Sequence, residues 1–147
     1  MIEGHTVVHE NTYPHPPGRV WQALVDPDEV SAWLMPSKDF APRVGQRFTM
    51  ECDPFGPLRG EVLEADPPHR LAYRWEGSFG TTTVTFTLTP TEAGTHVRME
   101  HRGWDAPHAG DQRQFDGGWT AKLTTRLRTL LDTPPTARNG ADRVADV

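Results

Sequence analysis

The sequence predicts an α+β fold: one antiparallel sheet of six to seven strands, covered by one long C-terminal helix, with two short helices after the first strand. Three observations predict it. Apolar side chains recur every second residue in segments between residues 47 and 102, the period of strands with one buried and one wet face. Between residues 109 and 131, AGDQRQFDGGWTAKLTTRLRTLL, the period becomes helical: Phe115, Trp119, Leu123, Leu127, Leu130 and Leu131 fall on one side. The strands are joined by short turns with no βαβ rhythm and no internal repeat, which suits a meander rather than a parallel sheet. The sizes agree. Twenty-three helical residues span about 35 Å, and six strands make a sheet about 29 Å wide, so one helix crosses the whole face.

Taken in order, residues 5–13, HTVVHENTY, are rich in β-branched residues and stop at Pro14, as a strand would. Its inward phase is open between Val7, His9, Asn11, Tyr13 and Thr6, Val8, Glu10, Thr12. Helix Arg19 to Val25 presents Val20, Trp21, Leu24 and Val25 on one face. Asp26 ends it and is placed to cap a second short helix, Pro27 to Leu34, with Val30, Trp33 and Leu34 inward. Residues 35–46 hold Pro36, Pro42 and Gly45 and read as a loop. Strands follow at Arg47 to Cys52, Leu58 to Ala65, Arg70 to Glu76, Thr81 to Thr89 and Thr95 to Arg102, with turns at 53–57, 77–80 and 90–94. Phe48, Met50, Tyr73, Trp75, Val84, Phe86, Val97, Met99 and His101 are predicted inward, and Thr83, Thr85 and Thr87 outward. On the long helix Lys122, Thr125, Arg128 and Asp132 are placed on or towards the outer side. One domain, residues 1–132, is expected, followed by a polar tail at 133–147 with nothing to bury.

Composition narrows the function. The 147 residues carry a formal net charge of −5, and no cluster of Lys or Arg marks a nucleic-acid or anionic-membrane surface. No stretch approaches the length of an apolar membrane span, and the first residues lack a basic segment followed by an apolar run, so a soluble cytoplasmic protein is expected. Only 35% of residues are hydrophobic, so the core must come from few large side chains, among them five Trp and six Phe. Cys52 is the sole cysteine and forms no intrachain disulfide. His5 and His9 share a strand face but lie about 13 Å apart, and no HExxH, CxxC or phosphate loop occurs, so no metal and no cofactor is expected.

Several segments in order resemble the START/Bet v 1-like (SRPBCC) superfamily, and most of all its AHSA1-like branch, named for the activator of Hsp90 ATPase. They are PPGRVWQALVDPDEVSAWLMP at 16–36, VGQRF at 44–48, GEVLEADPPHRLAYRW at 60–75, TVTFTLTP at 83–90, THVRMEH at 95–101 and GGW at 117–119. Leu34 departs from the pattern where many members carry a second Trp, and Gln46 where a second Gly is common. The resemblance implies a helix-grip fold, a curved sheet wrapped on the long helix, with a cavity between them that often holds an apolar ligand.

On that reading the ligand-binding candidates are Trp33, Phe48, Met50, Tyr73, Trp75, Phe86, Met99, His101, Phe115 and Trp119, because aromatic and Met side chains make adaptable apolar walls. The same residues serve equally as a filled core. His101, Asp116 and Tyr73 are the polar groups placed at the cavity and the candidates for acid, base and orienting donor. Each has a plainer role: a hydrogen-bonded core histidine, a solvated acid near a helix N-terminus, a tyrosine bonded to backbone. The functional expectation is binding of a small hydrophobic or aromatic molecule, with no defined reaction. The alternatives are a cyclase/dehydratase- or hydrolase-type enzyme using the same cavity, and an Hsp90 co-chaperone-like interaction module. Monomer and homodimer are both open. Gly117-Gly118 is expected to loosen the first half of the long helix, leaving the Leu-rich second half as the anchor.

Overall fold

Seven strands form one antiparallel sheet in the order β1-β2-β7-β6-β5-β4-β3 in the computed structural model, which describes residues 1–133. They are β1 (Ile2–Glu3), β2 (Thr6–Tyr13), β3 (Arg47–Cys52), β4 (Gly56–Asp66), β5 (Arg70–Gly77), β6 (Gly80–Thr91) and β7 (Gly94–Arg102). Strands β3 to β7 make the expected meander, and β2 crosses back to pair with β7, Val7 opposite His101 and Tyr13 opposite Thr95. This register settles the phase of β2: Val7 and Tyr13 are fully buried on the inner face, with His9 and Asn11 between them. The two-residue β1 was not predicted; it pairs Ile2 with Val7 at the sheet edge. The expected tail at 133–147 lies, beyond Thr133, outside the described residues.

The two short helices are α1 (Pro17–Val25) and α2 (Pro27–Trp33). Pro17 and Pro27 occupy first helical turns, where a missing N–H costs nothing. The Asp26 carboxylate accepts from the Glu29 N–H at 3.1 Å and caps α2 as predicted. Trp33 donates its indole N–H to the Ala23 carbonyl at 2.7 Å, satisfying a group at the open end of α1 and locking the two helices together.

The weak alternation of β4 has two causes. The Phe48 ring lies across Gly60, its partner in the ladder, where any Cβ would overlap it. A bulge between Val62 and Glu64 then turns Leu63 outward, 41% exposed. Three aromatic residues that the sequence leaves outside its strands and helices are in fact core: Phe40, Phe79 and Trp104 are each 3% exposed or less. Phe40 meets Phe48 and Tyr73 edge-on at 5.0 and 5.7 Å.

The outer sheet face is not uniformly wet, as was expected. Thr85 is only 1% exposed, because long charged side chains from neighbouring strands cover it and Ala72. Arg70 reaches Glu64, Arg74 reaches Glu61 and Glu76, and Arg98 reaches Glu10 and Glu100, all within 3.4 Å. Their aliphatic stems shield the row beneath. This face therefore carries a lattice of ion pairs rather than an apolar patch.

The long helix covers the inner face. It comprises α3 (Ala109–Ala121), a π-helical turn (Lys122–Arg126) and α4 (Leu127–Asp132), and a 3-10 turn (Ala106–His108) leads into it. The π turn was not predicted. There the Leu127 N–H donates to the carbonyl of Lys122, five residues back. The Leu123 carbonyl accepts the Tyr13 hydroxyl at 2.7 Å, so β2 ties down the irregular turn. Arg128, expected on the outer side, lies over the Tyr13 ring at 4.9 Å and donates to the Thr12 carbonyl. The first half has tethers of its own: Gln112 donates to the Gly4 carbonyl at 3.0 Å, and Asp116 meets β2.

Candidate functional site

Trp75 on β5 and Trp119 on α3 stack face to face, their planes 5° apart and their centroids 5.9 Å apart. A pocket of about 260 Å³ opens beside this pair. Its helix wall is Phe115, Gly118, Trp119, Lys122 and Arg126. The opposite wall is Leu34, Met35 and Pro36 after α2, together with Glu51, Cys52 and Asp53 at the end of β3. The Glu51 N–H donates to the Pro36 carbonyl at 3.1 Å, which makes those two segments one wall.

The indole groups differ in what they have to bond. Trp119 donates to His101 Nδ1 at 3.0 Å. Trp75 is fully buried, and its Nε1–H has no hydrogen-bond partner. A buried N–H left unpaired costs about 1–3 kcal/mol.

Lys122 belongs to the inner side of the helix, contrary to its expected placement. It follows Phe115 by seven residues, close to two turns, and a spacing check against Phe115 alone would have found it. It is half-buried, and burial lowers its pKa, with the Cys52 thiol opposing and Arg126 adding to that shift. Cys52 is itself pushed up to about 11 by burial, so it stays a neutral thiol and supplies no negative charge. Neither Lys122 nor Arg126 has a carboxylate within ion-pair distance among the described residues. Glu51 and Asp53 stand exposed on the facing wall.

Of the ligand-binding candidates, Trp75, Phe115 and Trp119 line this pocket. Trp33, Phe48, Met50, Tyr73, Phe86 and Met99 are buried around it and do not border it. They fill the space between sheet and helix: Trp33 meets Phe86 edge-on at 6.3 Å, and Tyr73 stacks on Trp75 at 5.5 Å. Leu34, Met35, Cys52, Gly118, Lys122 and Arg126 were not among the candidates. Leu34 to Pro36 belong to a loop whose position no periodicity records.

The three polar candidates do not form one constellation. His101 sits behind Trp119, caged by Trp104, Phe115, Trp75 and Trp119 with ring centroids 4.8 to 6.0 Å away. An indole N–H only donates, so His101 Nδ1 is the acceptor and Nε2 carries the proton, which it donates to Thr82 Oγ1 at 2.7 Å. Burial drives its pKa down to about 3, which keeps the ring neutral. Asp116 points away from the pocket towards β2. It lies 2.9 Å from His9 Nε2 and accepts from the Met1 ammonium at 2.6 Å. Desolvation pushes the Asp116 pKa up, but these two hydrogen bonds outweigh it and the net shift is downward. Tyr73 is 1% exposed, and burial raises its phenol well above the ordinary range.

The sheet, the gripping long helix and the two short helices define a helix-grip protein of the START/Bet v 1 type. The chain belongs to the family of activator of Hsp90 ATPase homolog 1-like proteins, which it matches over residues 14–132. It is similar to the crystal structure of protein MLL2253 from Mesorhizobium loti, at 38% identity and a TM-score of 0.79 over 86% of this chain and 96% of that one. It is also similar to the solution structure of protein BH1534 from Bacillus halodurans, at 26% identity and a TM-score of 0.76, covering 86% of this chain and 96% of that one. The Aha1 dimer from Colwellia psychrerythraea shares the fold, with 20% identity and a TM-score of 0.74 over 90% of this chain and 97% of that one. No curated protein matches the chain. No helix among the described residues is long and apolar enough to cross a membrane.

Proposed function

We propose that the protein binds a small apolar or aromatic molecule in the pocket beneath the long helix, without carrying out a reaction of its own. The observation that carries this reading is the stacked Trp75–Trp119 pair opening on a pocket of about 260 Å³. Aromatic side chains at the pocket favour an apolar or aromatic ligand. The volume falls just below the roughly 300–1,000 Å³ of drug-sized sites, so the ligand is one or two rings rather than a lipid chain. The chemistry of the polar groups supports binding over catalysis. His101 has both nitrogens occupied and is held neutral, and Asp116 is bonded to β2. A general acid–base pair needs contact with the substrate or one bridging water, and neither residue borders the pocket.

The test is titration of the protein with single- and double-ring aromatic compounds, following tryptophan fluorescence and thermal unfolding. Saturable quenching with a matching rise in Tm is expected, since a ligand that binds only the native state stabilises it by mass action. Absence of both responses across the panel refutes the reading.

A further inference from the structure

One polar group defines the pocket's ligand more narrowly than its aromatic residues do. That group is the Lys122 ammonium. It is half-buried on the helix wall, and no carboxylate lies within ion-pair distance of it among the described residues. Its nearest electrostatic neighbours are the neutral Cys52 thiol and the like-charged Arg126. The charges facing it, Glu51 and Asp53, are exposed, so water screens them, whereas Lys122 has lost part of its hydration. The partly desolvated charge is the one that gains most from a counter-ion, and it is positive.

We infer that the occupant is an aromatic acid, its ring on the side of the pocket lined by Trp75, Phe115 and Trp119 and its carboxylate on Lys122. This rests on the reading of the pocket as a ligand site. It adds the sign of the ligand's charge and the cation that selects it. Arg126, exposed at the mouth, draws the anion in but is not its principal contact.

Three probes sharing one ring system test it: 2-naphthoate, neutral 2-naphthamide and 2-naphthylmethylammonium. They are titrated into the full chain at pH 7 by calorimetry and tryptophan fluorescence. The carboxylate is expected to bind about tenfold tighter than the amide, the worth of a charge-assisted contact, and the ammonium weakest. In Lys122→Met, which keeps the aliphatic stem, the carboxylate's advantage should vanish while the amide binds as before. Binding of all three probes without charge preference, a preference for the ammonium, or a carboxylate advantage that survives Lys122→Met overturns the inference while the ligand site stands. Failure of every probe to bind overturns both.

Discussion

Protonation of His101 should make the fold measurably weaker in mild acid. The ring is neutral and enclosed, touched by four aromatic residues and bonded to Trp119 and Thr82, with no charged group against it. Burial lowers its pKa from 6.5 to about 3. Below pH 6.5 the unfolded chain therefore takes up a proton on this residue and the native chain does not. The unfolded state binds more protons, so stability falls as pH falls, by about 1.4 kcal/mol per pH unit until about pH 3. Between pH 7 and pH 5 the loss from this one residue is about 2 kcal/mol. His101→Gln keeps an acceptor and a donor in place but cannot titrate. It should be less stable than the native sequence at pH 7, by about 1–3 kcal/mol for imperfect packing, and that gap should shrink by about 2 kcal/mol by pH 5. His9, His15, His96 and His108, each beside a carboxylate, contribute equally to both proteins and cancel. Urea unfolding at pH 7, 6 and 5, fitted with a common m-value, measures the gap. A gap constant to within about 0.5 kcal/mol, the usual error of such comparisons, would show that His101 is neither caged nor neutral as the structure has it.

Four further outcomes follow from single contacts. Tyr13→Phe removes the hydroxyl that holds the Leu123 carbonyl in the π turn and should cost about 1 kcal/mol in urea unfolding; an unchanged midpoint would sink that role. Glu29→Gln leaves Arg19, whose side chain is 13% exposed, without its 2.7 Å anion, and should cost about 3 kcal/mol, measured as a lowered denaturation midpoint. Gly60→Ala forces a methyl into the Phe48 ring and should cost about 1–3 kcal/mol; tolerance of Ala with no stability change would mean that Phe48 is free to move aside. Hydrogen exchange should protect residues 123–131 more than residues 110–118, since Tyr13 and Arg128 clamp the second half while a side chain at Gly117 would face open space. Equal protection in both halves refutes that division.

The periodicities carried the fold. Arg47–Cys52 lies where alternation put it, and the inward row Val97, Met99, His101 is buried as read, because each strand has one face on the core and one in water. The cap at Asp26 and the span of the long helix were legible for the same reason: both are local, set by bonds and spacings within a few residues. Residues in turns were not legible. Phe40, Phe79 and Trp104 look like loop aromatics because no period marks a turn residue as buried; chain reversal alone brings them to the core.

The site divides along the same line. The sequence marked Trp75, Phe115 and Trp119 as inward aromatic residues, and all three line the pocket. It could not tell a filled core from a hollow one. That depends on how far the loop after α2 stands from the helix, a distance set by packing between segments some eighty residues apart in the chain. Nor could it rank the polar groups. His101, Asp116 and Tyr73 drew attention by residue type, yet their roles were decided by partners from remote strands: Trp119 and Thr82 for His101, and His9 for Asp116. By itself the sequence determined which faces are apolar, and so which elements form and how they stack, because hydrophobic burial follows local periodicity. Tertiary structure alone decided that, among the described residues, the Trp75 and Trp104 indole N–H groups and the Lys122 ammonium are left without partners. Hydrogen-bond and charge satisfaction is a property of the neighbours a fold assembles, not of the residues that carry the groups.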